Sequence, residues 1–320
     1  MHKPAIQVGT LLRINPSFIT SSAVWDRPIY RSSVWMRNAF MNLGKRREGL
    51  TLSKQSRRKL SNAINWLCVS AVSKRIFDKE KNRNFSFKIN FITLTIPHSE
   101  NKISAHEATS SLLNAWLTYA RKYFSLTNYI WKLEFTKKEV VHFHLTTDTF
   151  IHWKKLRDSW NNLLRRRGLL DAYYNEQGHY NANSTDVHAT YAIKNITAYL
   201  CKYLLKDAYK SEIPAGRLWG CNYALSAASK CAVEIPTGEG REEFMALFSN
   251  KIKWKPIEIL DKLGTKTLRL GEIFFTTMRN WKHDLKGVIK EAFEKHIHFL
   301  RYGYEEPPIL APSTAYELYL

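Results

Sequence analysis

The sequence is poor in cysteine, poor in acidic residues and free of long hydrophobic runs. Its 320 residues include four cysteines without a C-x-x-C pair, so neither a zinc knuckle nor a disulfide framework is expected. No run approaches the roughly 18 apolar residues of a membrane-spanning helix, and the apolar part of the N-terminal segment is too short for a signal peptide. These absences predict a cytoplasmic protein with reduced thiols and no membrane partner.

The scarcity of acidic residues leaves a large positive charge. The chain has 28 Asp and Glu against 49 Lys and Arg, for a net charge of +21. Residues 1–90 contain 18 basic and 4 acidic residues, so +14 of that total lies in under a third of the chain. Such an excess favours a polyanionic partner such as a nucleic acid. Two clusters are predicted to contact phosphates: Lys45, Arg46 and Arg47, and Arg57, Arg58 and Lys59. For either cluster alone, a solvated helix face is the alternative.

The order of predicted elements indicates an α+β fold. Predicted strands at 88–96, 127–136 and 140–148 alternate with predicted helices, and the last two strands form a hairpin. This mixture predicts a central antiparallel sheet flanked by helices. The predicted domains are a basic, partly helical N-terminal extension, a central α+β domain and a mostly helical C-terminal region: 1–85, 86–225 and 226–320.

Outside the central domain the pattern is less regular. Residues 1–52 are predicted to be irregular, because glycine and proline at Gly9, Pro16 and elsewhere interrupt any long element. Apolar residues at helical spacing predict one helix at 53–74, behind a basic face, and another at 276–300.

The predicted hairpin carries the first candidate site. Because side chains alternate between the faces of a strand, the polar residues of the two strands share one face. That face carries Lys132 and Glu134 on the first strand and His142 and His144 on the second. Two imidazoles and one carboxylate there make a reasonable site for a divalent cation with open positions for substrate. The alternative is a polar sheet face that contacts only water.

A second H-x-H pair, His296 and His298, provides a comparison within the chain. It falls in a predicted helix, where neighbours two apart point in directions about 200° apart and cannot share an ion. Both histidines are expected at the surface. An H-x-H pair is therefore informative on a strand and uninformative here.

A helix predicted at 191–206 carries two tyrosines. Tyr199 lies about 100° from the centre of the helix's apolar stripe, and Tyr203 lies about 65° from it, one turn later. Lys202 and Lys206 each follow a tyrosine by three residues, which predicts an ammonium near each phenol. A tyrosine with a pKa of about 10 needs a metal-polarised phosphate and nearby cations to act as a nucleophile. Core packing is the alternative, and it is stronger for Tyr203.

Together these motifs resemble the HUH endonucleases, the rolling-circle replication initiators of single-stranded DNA viruses, phages and plasmids. The strand F-I-T-L-T-I-P at 91–97 is similar to the family's first motif, F-x-T-L-T-x-P. The H-F-H sequence at 142–144, after a strand that carries Glu134, is similar to the second. The third motif, Y-x-x-K-Y on a helix, is matched by Tyr199, Lys202 and Tyr203. The resemblance covers about residues 86–225.

The segment W-K-L-E-F…V-H-F-H is especially similar to initiators of small icosahedral single-stranded DNA phages, which use two tyrosines. The family's members bind hairpin or specific origin DNA and hold Mg²⁺ or Mn²⁺ with two histidines and an acidic or similar third ligand. A tyrosine attacks the phosphate, leaving a 5′-phosphotyrosyl enzyme and a free 3′-OH that primes synthesis, and a second attack rejoins the ends.

Carried over residue by residue, the resemblance implies metal ligands at His142, His144 and Glu134. It implies catalytic roles for Tyr199, Tyr203 and Lys202, with Lys206 next to the DNA. The sequence has no G-x-x-x-x-G-K-[ST] motif, so a host helicase would unwind the duplex and a host polymerase would extend the 3′ end. The expected partner is single-stranded or hairpin origin DNA in the cytoplasm, a bacterial cytoplasm if the chain is phage-encoded.

Two other functions remain open at the level of sequence. A transposase or a plasmid-mobilisation relaxase shares the metal and tyrosine chemistry, although the tyrosine pair favours replication over single-tyrosine transposases. A non-catalytic nucleic-acid-binding protein would explain the charge and leave the histidines incidental.

Overall fold

The computed structural model divides the chain into two compact units. One unit comprises Met1–Arg47 with Ala227–Leu320, and the other comprises Glu48–Ser226. The predicted boundary at 225 falls at the end of the second unit, whereas the predicted boundary at 85 falls inside it. The residues that the structure describes are 6–16, 18–26, 52–78, 80, 82–97, 103–135, 140–189, 196–205, 217–227, 231–236, 255–256, 259–260, 266–267, 274–277 and 287–303.

Strands and helices occur in both units. The described strands are β1 (Gln7–Asn15), β2 (Phe18–Trp25), β3 (Lys74–Asp78), β4 (Arg83–Phe87), β5 (Asn90–Thr95), β6 (Tyr129–Phe135), β7 (Val141–Thr147), β8 (Thr185–Ala189), β9 (Trp219–Cys221), β10 (Ala232–Pro236), β11 (Lys255–Pro256), β12 (Ile259–Leu260), β13 (Lys266–Thr267) and β14 (Phe274–Thr277). The described helices are α1 (Lys54–Ser70), α2 (Ala105–Glu107), α3 (Asn114–Tyr123), α4 (Trp153–Arg166), α5 (Asp171–Gln177), α6 (Ile196–Leu204), α7 (Tyr223–Ala227) and α8 (Gly287–Tyr302), with a π-helical segment, Ala108–Leu113, between α2 and α3. The described helices include none that is long and apolar enough to cross a membrane.

The second unit contains a five-stranded antiparallel sheet in the order β8-β5-β7-β6-β9. Strand β7 lies at its centre and pairs with β5 on one side and β6 on the other. The predicted hairpin of β6 and β7 is therefore confirmed, and so is the predicted α+β class with an antiparallel sheet flanked by helices. The strands end within two residues of the predicted limits.

One face of this sheet forms the core of the second unit. Apolar side chains such as Leu94, Leu133 and Phe143 are buried against Trp116 of α3 and Trp160 of α4. Trp116 and Trp160 pack edge to face at 6.3 Å between ring centroids, an arrangement that aromatic pairs prefer. With this face covered by helices, the polar side chains of the same strands lie on the opposite face.

Helix α1 belongs to the second unit. It begins at an N-cap, Ser53, whose side chain accepts a hydrogen bond from the Ser56 backbone N–H. Its buried side chains recur every three or four residues, at Leu60, Ile64 and Leu67. Because α1 packs against α6, β6 and β9, it is part of the sheet domain. Its assignment to a separate N-terminal extension missed this packing, since neither α6 nor the sheet is adjacent to it in sequence.

The first unit is built from both ends of the chain. Its sheet has the order β10-β1-β2-β14-β11, and all of its pairings are antiparallel. The prediction that residues 1–52 are irregular is wrong for β1 and β2, because Gly9 fits within a strand and Pro16 lies outside both. The prediction of a mostly helical C-terminal region is wrong where β10 and β14 form, and the helix expected at 276–300 begins at Gly287.

Helix α8 carries the second H-x-H pair. His296 is fully buried beside Phe293 and Ile297, whereas His298 is exposed. The two side chains therefore point in different directions, as the helical spacing predicted. The expectation that both would be at the surface is wrong for His296, because position 296 lies on the apolar stripe of α8. Burial lowers the pKa of His296 to about 4, so this imidazole is neutral at physiological pH.

Candidate active site

The predicted metal ligands lie together on the polar face of the sheet β8-β5-β7-β6-β9, which is called the site face below. In the pairing of β6 with β7, Glu134 lies directly opposite His142, and Lys132 lies directly opposite His144. Residues opposite each other in an antiparallel pair share a face, so all four side chains lie on the face away from the core. The rings of His142 and His144 are 6.5 Å apart between centroids. The alternation that placed these side chains on one face in the sequence is thus present in the structure.

A chain of polar contacts crosses this face. Thr93 Oγ1 of β5 lies 3.2 Å from His144 Nδ1. The other ring nitrogen of this histidine, Nε2, lies 3.0 Å from Glu134 Oε2. The second carboxylate oxygen, Oε1, accepts a 2.5 Å hydrogen bond from Lys132 Nζ. Lys132 Nζ in turn lies 3.5 Å from the backbone carbonyl oxygen of Tyr203. These contacts connect β5, β7, β6 and the tyrosine-bearing helix α6.

The environment sets the charges of the ligands. Burial alone would raise the pKa of Glu134, but hydrogen bonds from His144 and Lys132 and the Lys132 charge outweigh it and lower the pKa to about 2. Burial lowers the pKa of His142, and His144 lowers it further against the opposing effect of Glu134. Glu134 is therefore a carboxylate and His142 a neutral imidazole at neutral pH, which are the forms that bind metals.

We expect Glu134→Gln to destabilise the protein in a pH-dependent way. A carboxyl whose pKa is lowered on folding contributes stability above its unfolded pKa of about 4.5 and loses it as pH falls towards 2. At pH 7 the variant leaves Lys132 without its carboxylate, for which we expect a loss of about 3 kcal/mol in the free energy of unfolding. The difference from wild type should shrink between pH 4.5 and 2, as measured by urea unfolding in EDTA.

The control is Glu176→Gln, an exposed glutamate of α5. It should stay within about 0.5 kcal/mol of wild type at every pH. If Glu134→Gln loses the same free energy of unfolding at pH 7 and at pH 2.5, the ionised carboxylate is not the source of the stability.

The donor set, two imidazoles and a carboxylate, suits a divalent cation. Within the described ranges, no three His, Cys, Asp or Glu side chains are already close enough together to hold a metal ion. Instead, His144 and Glu134 contact each other directly. A Thr hydroxyl can either donate or accept, so Thr93 can hold the His144 ring in either tautomer. With its proton on Nδ1, His144 would present a bare Nε2 beside the Glu134 carboxylate, as a metal ligand must.

Helix α6 places both tyrosines over this face. The tyrosine rings lie 4.6 Å apart between centroids. The Phe91 ring of β5 lies 6.3 Å from Tyr199 and 6.0 Å from Tyr203, and it stacks on His144 at 5.2 Å. A single aromatic ring thus contacts a predicted metal ligand and both predicted nucleophiles. Phe91 therefore connects strand β5 with His144 of β7 and with both tyrosines of α6.

The exposure of the two tyrosines differs from the expectation. Tyr203, placed nearer the apolar stripe by the helical wheel, is 43% exposed, whereas Tyr199 is half-buried. The wheel describes only the helix, and it omits the Phe91 ring that covers part of each phenol. Burial raises the pKa of Tyr199. The electrostatic interaction with Tyr203 and the hydrogen bond between the two side chains raise it further. Tyr199 is thus a neutral phenol that must lose its proton on attack.

The expected lysines have a smaller part in the structure. Lys202 is exposed on α6, and the causes that shift the Tyr199 pKa are burial and Tyr203. Lys206 lies outside the described residues. The buried cation of the site is Lys132, a residue that the alternation of β6 placed on the correct face but to which the sequence assigned no role.

Strand β8 adds a polar pair that the sequence did not indicate. In the pairing of β5 with β8, His188 lies opposite Phe91 and Asp186 lies opposite Thr93, so both share the site face. Their side chains are 2.6 Å apart, from His188 Nε2 to Asp186 Oδ2, and both are exposed. The segment reads as a polar loop in sequence, and the signal that identifies it is the alternation T-D-V-H-A.

The predicted phosphate contacts separate into two kinds. Arg57 donates hydrogen bonds to the backbone carbonyls of Leu52 and Leu205, so its guanidinium ties α1 to the end of α6. Arg58 and Lys59 are exposed on the same helix and available to a phosphate backbone. The cluster of Lys45, Arg46 and Arg47 lies outside the described residues.

We expect binding to single-stranded DNA to weaken steeply with salt. Phosphate contacts release counterions, so log K should fall linearly with log salt by about 0.7 per neutralised phosphate. Replacing Arg58 and Lys59 with glutamine should reduce this slope by about 1.4, as measured by fluorescence anisotropy over a salt series. Deletion of residues 1–85 is unsuitable for this purpose, because it would remove α1 from the core.

The control is the same pair of substitutions at Lys290 and Lys295 of α8, in the other unit, which should leave the slope unchanged. An unchanged slope in the folded Arg58→Gln/Lys59→Gln variant would show that this face of α1 does not contact DNA.

Comparison with known proteins gives a match over the segment that carries this site. No curated protein and no solved structure matches the chain. Residues 89–208 match the family model described as replication-associated protein ORF2. The matched segment lies within the second unit and contains the polar face of β5, β6 and β7 together with α6. The part of the chain that forms the candidate site is therefore similar to replication-associated proteins, which is consistent with a role in DNA replication.

Proposed function

We propose that the chain is a replication initiator that nicks single-stranded origin DNA with a tyrosine and a divalent cation. One observation carries the proposal. The side chains of His142, His144 and Glu134 lie on one face of the sheet, and helix α6 places two tyrosines over that face. The ring of Phe91 contacts His144 and both phenols. The match of residues 89–208 to a replication-associated family supports the same conclusion.

The residues fit Mg²⁺ or Mn²⁺ as a cofactor. His142, His144 and Glu134 would hold the ion, leaving open positions for a phosphate oxygen. When bound, it would polarise the scissile phosphate and stabilise the charge that develops on it. Binding needs the His144–Glu134 hydrogen bond to open, and Thr93 keeps the ring of His144 oriented while it does so.

The chemistry that we propose is a transesterification. The Tyr199 oxygen forms a bond to phosphorus, the bond from phosphorus to the 3′-oxygen breaks, and the phenol proton is transferred so that the strand ends in a 3′-OH. The DNA 5′ end stays on the tyrosine as a phosphodiester. Tyr203, one helical turn away, would make the second attack that releases and rejoins ends. No external energy source is needed, because each phosphodiester bond is exchanged for another.

Incubation with labelled single-stranded oligonucleotides and Mn²⁺ tests the proposal. We expect a protein–DNA band that survives denaturing electrophoresis, carries the fragment whose 5′ end was created by the break, and disappears in EDTA. Binding without such a band, across oligonucleotides that include hairpins, would favour a non-catalytic nucleic-acid-binding protein. Cleavage that requires mobile-element ends, instead of the protein's own origin, would favour a transposase or relaxase.

The expected partners follow from the proposed reaction. Origin DNA is the substrate, and a host helicase and a host polymerase would unwind the duplex and extend the released 3′-OH. A supercoiled plasmid that carries the chain's own origin should be relaxed by the protein and Mn²⁺ without other proteins.

A further inference from the structure

A buried ammonium lies in the middle of the candidate site. Lys132 is 1% exposed, although it lies on the polar face of β6. A lysine this deeply buried must be paired or lose its charge. Its Nζ donates to Glu134 Oε1 at 2.5 Å and lies 3.5 Å from the carbonyl oxygen of Tyr203. Lys132 therefore contacts a predicted metal ligand and the helix that carries both predicted nucleophiles.

We propose that Lys132 is a built-in cation of this site. As a positioning residue, it balances the charge of Glu134 while no divalent cation is bound, and it holds the last turn of α6 against β6. The inference rests on the proposed function, because it takes Glu134 as a ligand of the metal that the reaction uses.

Charge balance supports the first part of this proposal. Glu134 is 25% exposed, and its two oxygens contact Lys132 and His144 respectively. Removing one partner of a buried ion pair leaves an uncompensated charge and strongly destabilises a protein. With Lys132 present, the carboxylate stays in place beside His144 without a metal. An entering cation then shares Glu134 with an ammonium, so Lys132 weakens metal binding while it keeps the ligands assembled.

The position of the Tyr203 carbonyl supports the second part. This carbonyl belongs to the last turn of α6, where backbone oxygens lack helical partners and carry partial negative charge. An ammonium near such a carbonyl is favourable. Lys132 thus connects the strand that holds Glu134 to the turn of α6 that holds Tyr203, and it keeps the ligand and the phenol in register.

Thermal unfolding in EDTA and in Mn²⁺ tests the proposal. Lys132→Met should lower the melting temperature in EDTA by roughly 6–20 °C. Saturating Mn²⁺ should recover most of this loss, and its stabilising shift should exceed that of wild type, because the metal replaces the missing positive charge. The double variant Lys132→Met/Glu134→Gln should melt near wild type in EDTA and show little response to Mn²⁺.

Hydrogen exchange tests the contact with the helix. Amides of residues 196–205 should exchange faster in Lys132→Met/Glu134→Gln than in wild type, because the two proteins are expected to be similarly stable and only the double variant lacks the ammonium. Equal exchange in these two proteins would overturn the proposed link to α6.

Lys295→Met is the matched control, since Lys295 forms an exposed pair with Glu291 at 2.6 Å. It should change the melting temperature little, and its Mn²⁺ shift should equal that of wild type. An Mn²⁺ shift in Lys132→Met no larger than in wild type would overturn the proposal. A double variant with a melting temperature as low as that of Lys132→Met would also overturn it. If Lys132→Met does not fold at all, the proposal requires that the double variant does fold. Failure of the proposed function would appear separately, as a wild-type protein that responds to Mn²⁺ but forms no DNA adduct.

Discussion

Tyr199→Phe is expected to lower the rate of adduct formation by about 10⁴-fold or more, the scale of loss when a catalytic nucleophile is removed. The substitution keeps the ring, and with it the contacts to Phe91 and Tyr203, and deletes only the hydroxyl. The fold and the affinity for DNA should therefore stay close to wild type. The rate is measured by denaturing electrophoresis of a labelled oligonucleotide in Mn²⁺.

Tyr203→Phe should have a different effect on the same two reactions. Its exposed fraction of 43% argues against core packing as the reason for a tyrosine at this position. We expect near-normal nicking and a large loss in the second transfer, which joins the bound 5′ end to a new 3′-OH. Residues four apart on a helix have Cβ atoms about 5–6 Å apart, so both phenols can reach one phosphate in turn.

Tyr174→Phe is the matched control, because Tyr174 is also 43% exposed and lies on α5. It should leave both reactions unchanged. Mass spectrometry of the trapped adduct shows which tyrosine carries the nucleotide. An adduct on neither Tyr199 nor Tyr203 would refute the mechanism, and normal joining by Tyr203→Phe would assign that residue a structural role.

His144→Ala is expected to abolish measurable cleavage, with a loss of about 10³-fold or more, because metal stabilisation of developing charge is worth several kcal/mol. His142→Ala and chelation with EDTA should have the same effect. Affinity for single-stranded DNA should change little, since the predicted phosphate contacts include Arg58 and Lys59 of α1. Cleavage and binding are measured on the same oligonucleotide, by electrophoresis and by fluorescence anisotropy.

The second H-x-H pair supplies the control for this experiment. His298→Ala removes an exposed histidine of α8 and should leave cleavage at the wild-type rate. Glu134→Ala should weaken metal affinity, and excess Mn²⁺ should partly restore its activity. Full-rate cleavage by protein that has been stripped with EDTA would exclude the metal site.

The sheet that holds the site could be predicted from the sequence because its alternation is strong. Polar and apolar residues alternate from Trp131 to Phe135 in β6 and from Val141 to Thr146 in β7, so the face shared by Glu134, His142 and His144 followed directly. Pro97 marks the end of β5 just as clearly. The helices α1 and α6 show regular helical spacing and were located to within five residues at each end. Local patterns of this kind carry the information that defines individual elements.

Contacts between distant segments could not be predicted in this way. The burial of Lys132 depends on α6, which lies about 70 residues further along the chain. The pairing of β8 with β5 gives Asp186 and His188 their place on the site face, and it joins residues that are more than 90 positions apart. No periodicity within a short window reports such pairings, and the same limitation applies to the pairings of β10 with β1 and of β14 with β2 in the first unit.

The first unit has a consequence for the order in which the chain folds. Its β1–β2 hairpin is synthesised before the strands that flank it, which are β10 next to β1 and β14 next to β2. More than 200 residues separate each of these partners from the hairpin. The second unit, by contrast, lies within one uninterrupted stretch that is complete by Ser226. During synthesis the two edges of the hairpin therefore wait for β10 and β14 to emerge, a long-range closure of the kind that slows folding.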